Sequence, residues 1–134
     1  MTEVEVRKKE FKFRGKTLEE LKKLDVREFA TLLRSRERRT VLRQFQDLEN
    51  FVQRAKSKEG KNKKIRTHKR HLVIVPELVG MKMQVYNGRE FVNFEVTGEM
   101  LGHRFGEFAP TRARIKHTKA GVGATKGSKH KSKK

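Results

Sequence analysis

The chain has no cysteine, no tryptophan, one tyrosine and two prolines in 134 residues. Without cysteine there are no disulfides and no thiolate metal sites, a composition that fits a reducing compartment. No apolar run approaches the roughly 18–20 residues that span a bilayer. The first ten residues, MTEVEVRKKE, lack the apolar stretch of a secretory signal. A cytoplasmic protein without a membrane partner is therefore expected. Acidic residues are also scarce, and beyond Glu107 there are none. The 23 residues from Arg112 to Lys134 carry nine Lys or Arg, two His and no Asp or Glu.

What is present is positive charge. The formal net charge is +19, with 38% of residues charged and only 34% hydrophobic. Such a balance resists compaction and favours a polyanionic partner, and nucleic acid suits it best. The core must be small. That counts against an enzyme, because the acids Glu90, Glu95, Glu99 and Glu107 near the centre make no convincing catalytic set and a small core hardly encloses a cleft. Gly102 and Gly106 are not followed by a long helix, so they form no dinucleotide fingerprint, and no phosphate-binding loop of the Walker type is present. His68, His71 and His103 lie among cations without carboxylate or thiolate companions, which disfavours a zinc site. No cofactor or metal is expected.

Four zones differ in composition. Residues 1–55 hold ten of the 16 acids and read as helical. Thr17 with Glu20 has the form of a capping box and Asp25 with Glu28 is a near variant, predicting short helices over 18–24 and 26–33. A longer helix is expected next, with Val41, Leu42, Phe45, Leu48, Val52 and Ala55 on one face. The arginines between Arg34 and Arg43 are read as facing phosphate. Residues 56–71 form a basic linker, eight of whose sixteen residues are Lys or Arg, and on its own it is expected to be poorly ordered.

Residues 72–110 are expected to be the α+β core. Leu72 to Val75 is a β-branched apolar run stopped by Pro76, read as a buried strand. Asn87-Gly88 predicts a two-residue type I′ hairpin that sets Val85 opposite Glu90, Met83 opposite Val92 and Met81 opposite Phe94. One apolar face results, with Lys82, Gln84 and Asn93 on the other. Thr97 is placed to cap a brief turn through Met100 and Leu101. Phe29, Phe45, Phe91 and Phe94 read as core, and Phe105 and Phe108 as packing ahead of base stacking. Residues 111–134 form a basic tail without periodicity, expected to be disordered in the free protein.

Several motifs are specific. Asn87-Gly88-Arg89 is followed by Leu101-Gly102-His103 and then by Phe105-Gly106-Glu107-Phe108, with Val79-Gly80 before and Ala109-Pro110-Thr111-Arg112 after. From Ile65 to His117 the chain closely resembles the small-subunit ribosomal protein family numbered nineteen in bacterial nomenclature. Phe13-Arg14-Gly15, Arg36-Glu37-Arg38-Arg39 and Gly121-Val122-Gly123-Ala124-Thr125 resemble its archaeal and eukaryotic branch, the fifteen-e protein of eukaryotic numbering. The ending KGSKHKSKK lacks the hydrophobic close of eukaryotic members and favours an archaeal source. His68 stands where Trp is usual in bacterial members, and Met81 where His is usual.

The resemblance implies an α+β fold: a small three-stranded mixed sheet with an Asn-Gly hairpin, N-terminal helices and the tail. It implies a structural component of the small ribosomal subunit that binds the 3′ domain of its ribosomal RNA in the head, beside the thirteen-family protein. A basic tail would reach towards the A-site transfer RNA and the decoding centre. The residues supply a mechanism. Arg66, Lys69, Arg70, Arg89, Arg104, Arg112 and Arg114 are expected to neutralise phosphates, helped by Lys82 and Lys116. Gly88, Gly102 and Gly106 would let the backbone come close, and His68, Asn87, His103, Thr111 and His117 complete the RNA-binding set. Lys119, Lys126, Lys129, Lys131, Lys133 and Lys134 belong to the decoding-proximal tail. A DNA-compacting basic protein is the alternative, although no helix-turn-helix spacing, zinc finger or basic zipper is present.

Overall fold

A computed structural model describes residues 9–116 and residue 121. A short hairpin, β1 (Lys12–Phe13) and β2 (Lys16–Thr17), turns through Arg14 and Gly15, both at positive φ. It leads into α1 (Leu18–Lys23) and α2 (Val26–Leu32). Both starts lie where the capping residues placed them. The Thr17 N–H donates to the Glu20 carboxylate at 3.0 Å while the Glu20 N–H donates to Thr17 Oγ1 at 3.4 Å. The Asp25 N–H donates to Glu28 at 3.2 Å. These partners lie three residues apart, so local sequence settles them.

The longer helix is two helices, α3 (Ser35–Arg43) and α4 (Phe45–Gly60). Gln44 leaves the helical region at φ −110° and ψ 25°, ending one and starting the other. Val41 and Leu48 are both buried, one on each side of the break, while Leu42, expected on the same face, is 52% exposed. The stretch expected to be poorly ordered takes part in the fold as well. Its first residues complete α4, Lys56 pairs with Glu77, and Ile65 is buried in β3 (Ile65–Thr67).

The three-stranded sheet also contains β4 (Lys82–Tyr86) and β5 (Phe91–Glu95), in the order β3-β4-β5. β3 runs parallel to β4, and β4 antiparallel to β5, so the sheet is mixed. The third strand is therefore 65–67 and not 72–75. Leu72 to Val75 is wholly buried as expected, but its backbone pairs with the glycine-rich element. The Ile74 N–H donates to the His103 carbonyl at 2.8 Å, and the Phe105 N–H to the Leu72 carbonyl at 3.0 Å.

The hairpin register also differs. Tyr86 faces Phe91, Val85 faces Val92 and Met83 faces Phe94. The connection is the loop 87–90, closed by Asn87 N–H to the Glu90 carbonyl at 3.0 Å. Asn87 Oδ1 accepts from the N–H groups of Arg89 and Glu90, both at 2.9 Å. That side-chain turn replaces the type I′ turn, and only Gly88 in the loop has positive φ, +102°. Because the register moves by two residues, each side chain keeps its face. Met83, Val85, Val92 and Phe94 still point inward. Lys82, Gln84 and Asn93 still point outward.

One hydrophobic cluster joins all of these elements. Leu21, Val26, Phe29, Ala30 and Leu33 of the N-terminal helices lie in it beside Ile74, Leu78, Met83, Val85 and Phe105. The short turn Gly98–Met100 forms without a backbone N–H donating to the Thr97 hydroxyl. Among the described residues no helix is long and apolar enough to cross a membrane.

Candidate nucleic-acid interface

The sheet presents its outer face and one end to solvent. Along β3, Arg66 points outward between buried Ile65 and Thr67, as strand alternation requires, and His68 follows exposed. Arg66 Nε donates to Gln84 Oε1 at 2.7 Å, and its guanidinium carbon lies 5.2 Å from the centroid of Phe91. Lys82, Gly88 and Arg89 are exposed on the same hairpin. A Cβ placed on Gly88 would meet nothing within 4 Å, so the tip of the loop is open.

The cations expected at phosphates divide into two groups. Arg70 is half-buried and turned inward: Nη1 donates to the Tyr86 carbonyl at 2.7 Å, and Nη2 to the carbonyls of Gly106 and Ala109 at 2.9 and 2.7 Å. Arg104 is also half-buried, with Nη2 donating to Thr40 Oγ1 at 3.1 Å. Lys69 lies 3.1 Å from Asp47. On α3, Arg38 donates to the carbonyls of Ala30, Thr31 and Leu33, which closes the end of α2. By contrast the side chains of Arg36, Arg39 and Arg43 of α3, exposed as Arg38 is, donate to no protein acceptor among the described residues, and Thr111, Arg112, Arg114 and Lys116 are exposed after the core. Charge type alone does not separate these groups. Their acceptors do.

The glycines behave in the same divided way. Gly106 comes close to a backbone, but to the backbone of its own chain. Its N–H donates to the Arg70 carbonyl at 2.9 Å, and an added Cβ would lie 3.2 Å from both Cβ and O of Arg70. Gly102 has φ +80°, and an added Cβ there would lie 2.9 Å from Cδ2 of Leu33. Next to it, His103 Nδ1 is 2.7 Å from Glu107 Oε2, and the other Glu107 oxygen accepts from the Arg104 N–H at 3.4 Å. The turn Phe105–Phe108 is therefore internally tied, with Phe105 fully buried and packed against Phe51, the ring centroids 5.3 Å apart and the planes tilted by 57°.

Phe91 departs from its expected place in the core. It shares the outer face with Tyr86 and His68, their three rings lying 4.7–5.2 Å apart. The signal lies in the alternation: with Val92 and Phe94 inward, Phe91 must point outward. His117, Lys119, Lys126, Lys129, Lys131, Lys133 and Lys134 lie outside the described residues, as does most of the expected tail.

Glu90, Glu95, Glu99 and Glu107 are all exposed, and among the described residues no three His, Cys, Asp or Glu come together as a metal cluster. A small α+β scaffold bearing cations on its open surfaces has the form of a nucleic-acid-binding protein. The comparisons make this particular. A family model described as Ribosomal protein S19 matches residues 34–117. A small ribosomal subunit protein uS19 from Methanococcoides burtonii is 48% identical over 123 residues, which are 92% of this chain and 88% of that protein. The protein of the same name from Saccharolobus solfataricus is 48% identical over 124 residues, 90% of this chain and 89% of the other. The chain belongs to the Ribosomal protein S19 family.

Proposed function

We propose that this protein is a structural component of the small ribosomal subunit in the cytoplasm, where it binds the 3′ head domain of the ribosomal RNA. The observation that carries this reading is the match, over 90–92% of the chain, to relatives named small ribosomal subunit proteins. The surface agrees: Arg66, Lys82, Arg89, Arg112, Arg114 and Lys116 are exposed around the hairpin and the segment that leaves the core. Each phosphate they neutralise would release counterions, so binding depends steeply on salt. The small sheet, with its hairpin loop, holds Arg66, Lys82 and Arg89 in a fixed arrangement, which favours one folded RNA over a random polyanion. A neighbour of the thirteen family in the head, and a basic tail directed to the A-site transfer RNA and decoding centre, belong to the same proposal.

Two measurements test it. Tagged protein should co-sediment with small-subunit particles on a sucrose gradient. About six phosphate contacts should give a log–log salt slope of roughly −4 to −5 for the head-domain RNA. Equal affinity for that RNA and for random duplex DNA at every salt concentration would overturn the ribosomal reading in favour of a DNA-compacting protein.

A further inference from the structure

We propose that the outer face of the three-stranded sheet is a base-stacking site, on which His68, Tyr86 and Phe91 receive an unstacked base of single-stranded RNA while Arg66 meets the adjoining phosphate. The proposal rests on the RNA-binding reading and specifies one subsite of it.

The ring triangle is compact. The centroid of His68 is 4.7 Å from that of Tyr86 and 5.1 Å from that of Phe91, and Tyr86 and Phe91 are 5.2 Å apart as directly opposed strand partners. Core packing does not account for it. Phe91 is the one phenylalanine of the chain neither in the hydrophobic cluster nor packed against it. On the outer face of a one-sided sheet, polar residues are the ordinary choice. The rings are tilted 52–75° to one another, with Tyr86 and Phe91 half-buried and His68 exposed, so aromatic surface is open to solvent there, and every nucleobase has a π-face to match.

The platform is also organised before any ligand arrives. The Tyr86 hydroxyl donates to the Gly88 carbonyl at 3.1 Å, and Arg70 holds the Tyr86 carbonyl from within. Arg66 is braced by Gln84 through Nε and lies against Phe91. Among the described residues its two Nη groups have no protein acceptor, so they remain for a phosphate.

The chain carries its own probe. Tyr86 is the only tyrosine and there is no tryptophan, so intrinsic fluorescence reports this site alone. The full chain would be titrated with an oligoadenylate of about eight nucleotides, a length within the usual single-strand site size. Inorganic polyphosphate of equal charge, at the same ionic strength, supplies phosphates without bases. Saturable quenching of Tyr86 by the oligonucleotide and not by polyphosphate is expected. Phe91→Leu keeps an apolar side chain but removes the ring; this variant and, separately, His68→Ala should each weaken oligonucleotide binding roughly tenfold and leave polyphosphate binding unchanged. Circular dichroism checks that both variants fold. If polyphosphate quenches equally, or both folded variants bind the oligonucleotide like the parent, the stacking site is refuted while charge-driven RNA binding stands. If neither polyanion binds at low salt, the RNA-binding reading falls with it.

Discussion

Replacing Arg70 by Gln separates an internal brace from a phosphate ligand. The guanidinium joins three backbone segments by donating to the carbonyls of Tyr86, Gly106 and Ala109 at 2.7–2.9 Å. Hydrogen bonds from a charged donor contribute about 1.5–3 kcal/mol each. The three share one side chain and do not add independently, and Gln recovers at most one of them. A loss of about 3–5 kcal/mol is expected, a large share of the 5–15 kcal/mol typical of a small domain. Arg70→Lys should recover only part of it, because a single ammonium cannot reproduce the planar fork. Urea unfolding of the free protein measures the loss as a lower midpoint at constant m-value. The salt slope for head-domain RNA, measured under conditions in which the variant is folded, should stay within about 0.3 of the parent value. Removing one true phosphate contact changes it by about 0.9. An unchanged urea midpoint together with a slope reduced by about 0.9 would refute the internal role and make Arg70 a phosphate ligand.

The same logic divides the arginines of α3. Arg38→Gln frees the carbonyls at the end of α2 and should cost about 1–3 kcal/mol by urea unfolding, whereas Arg39→Gln should stay within about 0.5 kcal/mol and instead reduce the RNA salt slope. Gly106→Val forces a branched side chain against the Arg70 backbone, 3.2 Å from where its Cβ must lie; a stability loss of about 1–3 kcal/mol and poorer incorporation into reconstituted subunits are expected, and normal values of both would contradict the close packing. Deleting Ala120 to Lys134 removes five lysines and leaves the sheet and the 102–109 segment in place. Incorporation should persist while A-site transfer-RNA affinity falls; unchanged affinity and decoding accuracy would deny the tail that role, and failed incorporation would make it an assembly anchor.

Short-range features were legible before any fold was known. Thr17 with Glu20 and Asp25 with Glu28 start helices because donor and acceptor lie three residues apart. The inner face of the hairpin follows from strand alternation and survives a register change of two residues. The polycationic surface and the family motifs are properties of composition and order alone. Tertiary structure decided which strand completes the sheet: Ile65 to Thr67 pairs with β4, while Leu72 to Val75 is drawn to the 102–105 backbone. It also decided that the long helix breaks at Gln44, where φ −110° and ψ 25° leave the helical region, a break the apolar periodicity across Val41 and Leu48 does not mark. Above all it decided the fate of each arginine. Arg70 finds its acceptors 16, 36 and 39 residues away, and Arg104 finds Thr40 64 residues away. A guanidinium has the same charge and donors whether a carbonyl or a phosphate accepts from it, so only the folded chain, by bringing distant carbonyls within 3 Å or leaving the side chain in water, determines which arginines remain for RNA.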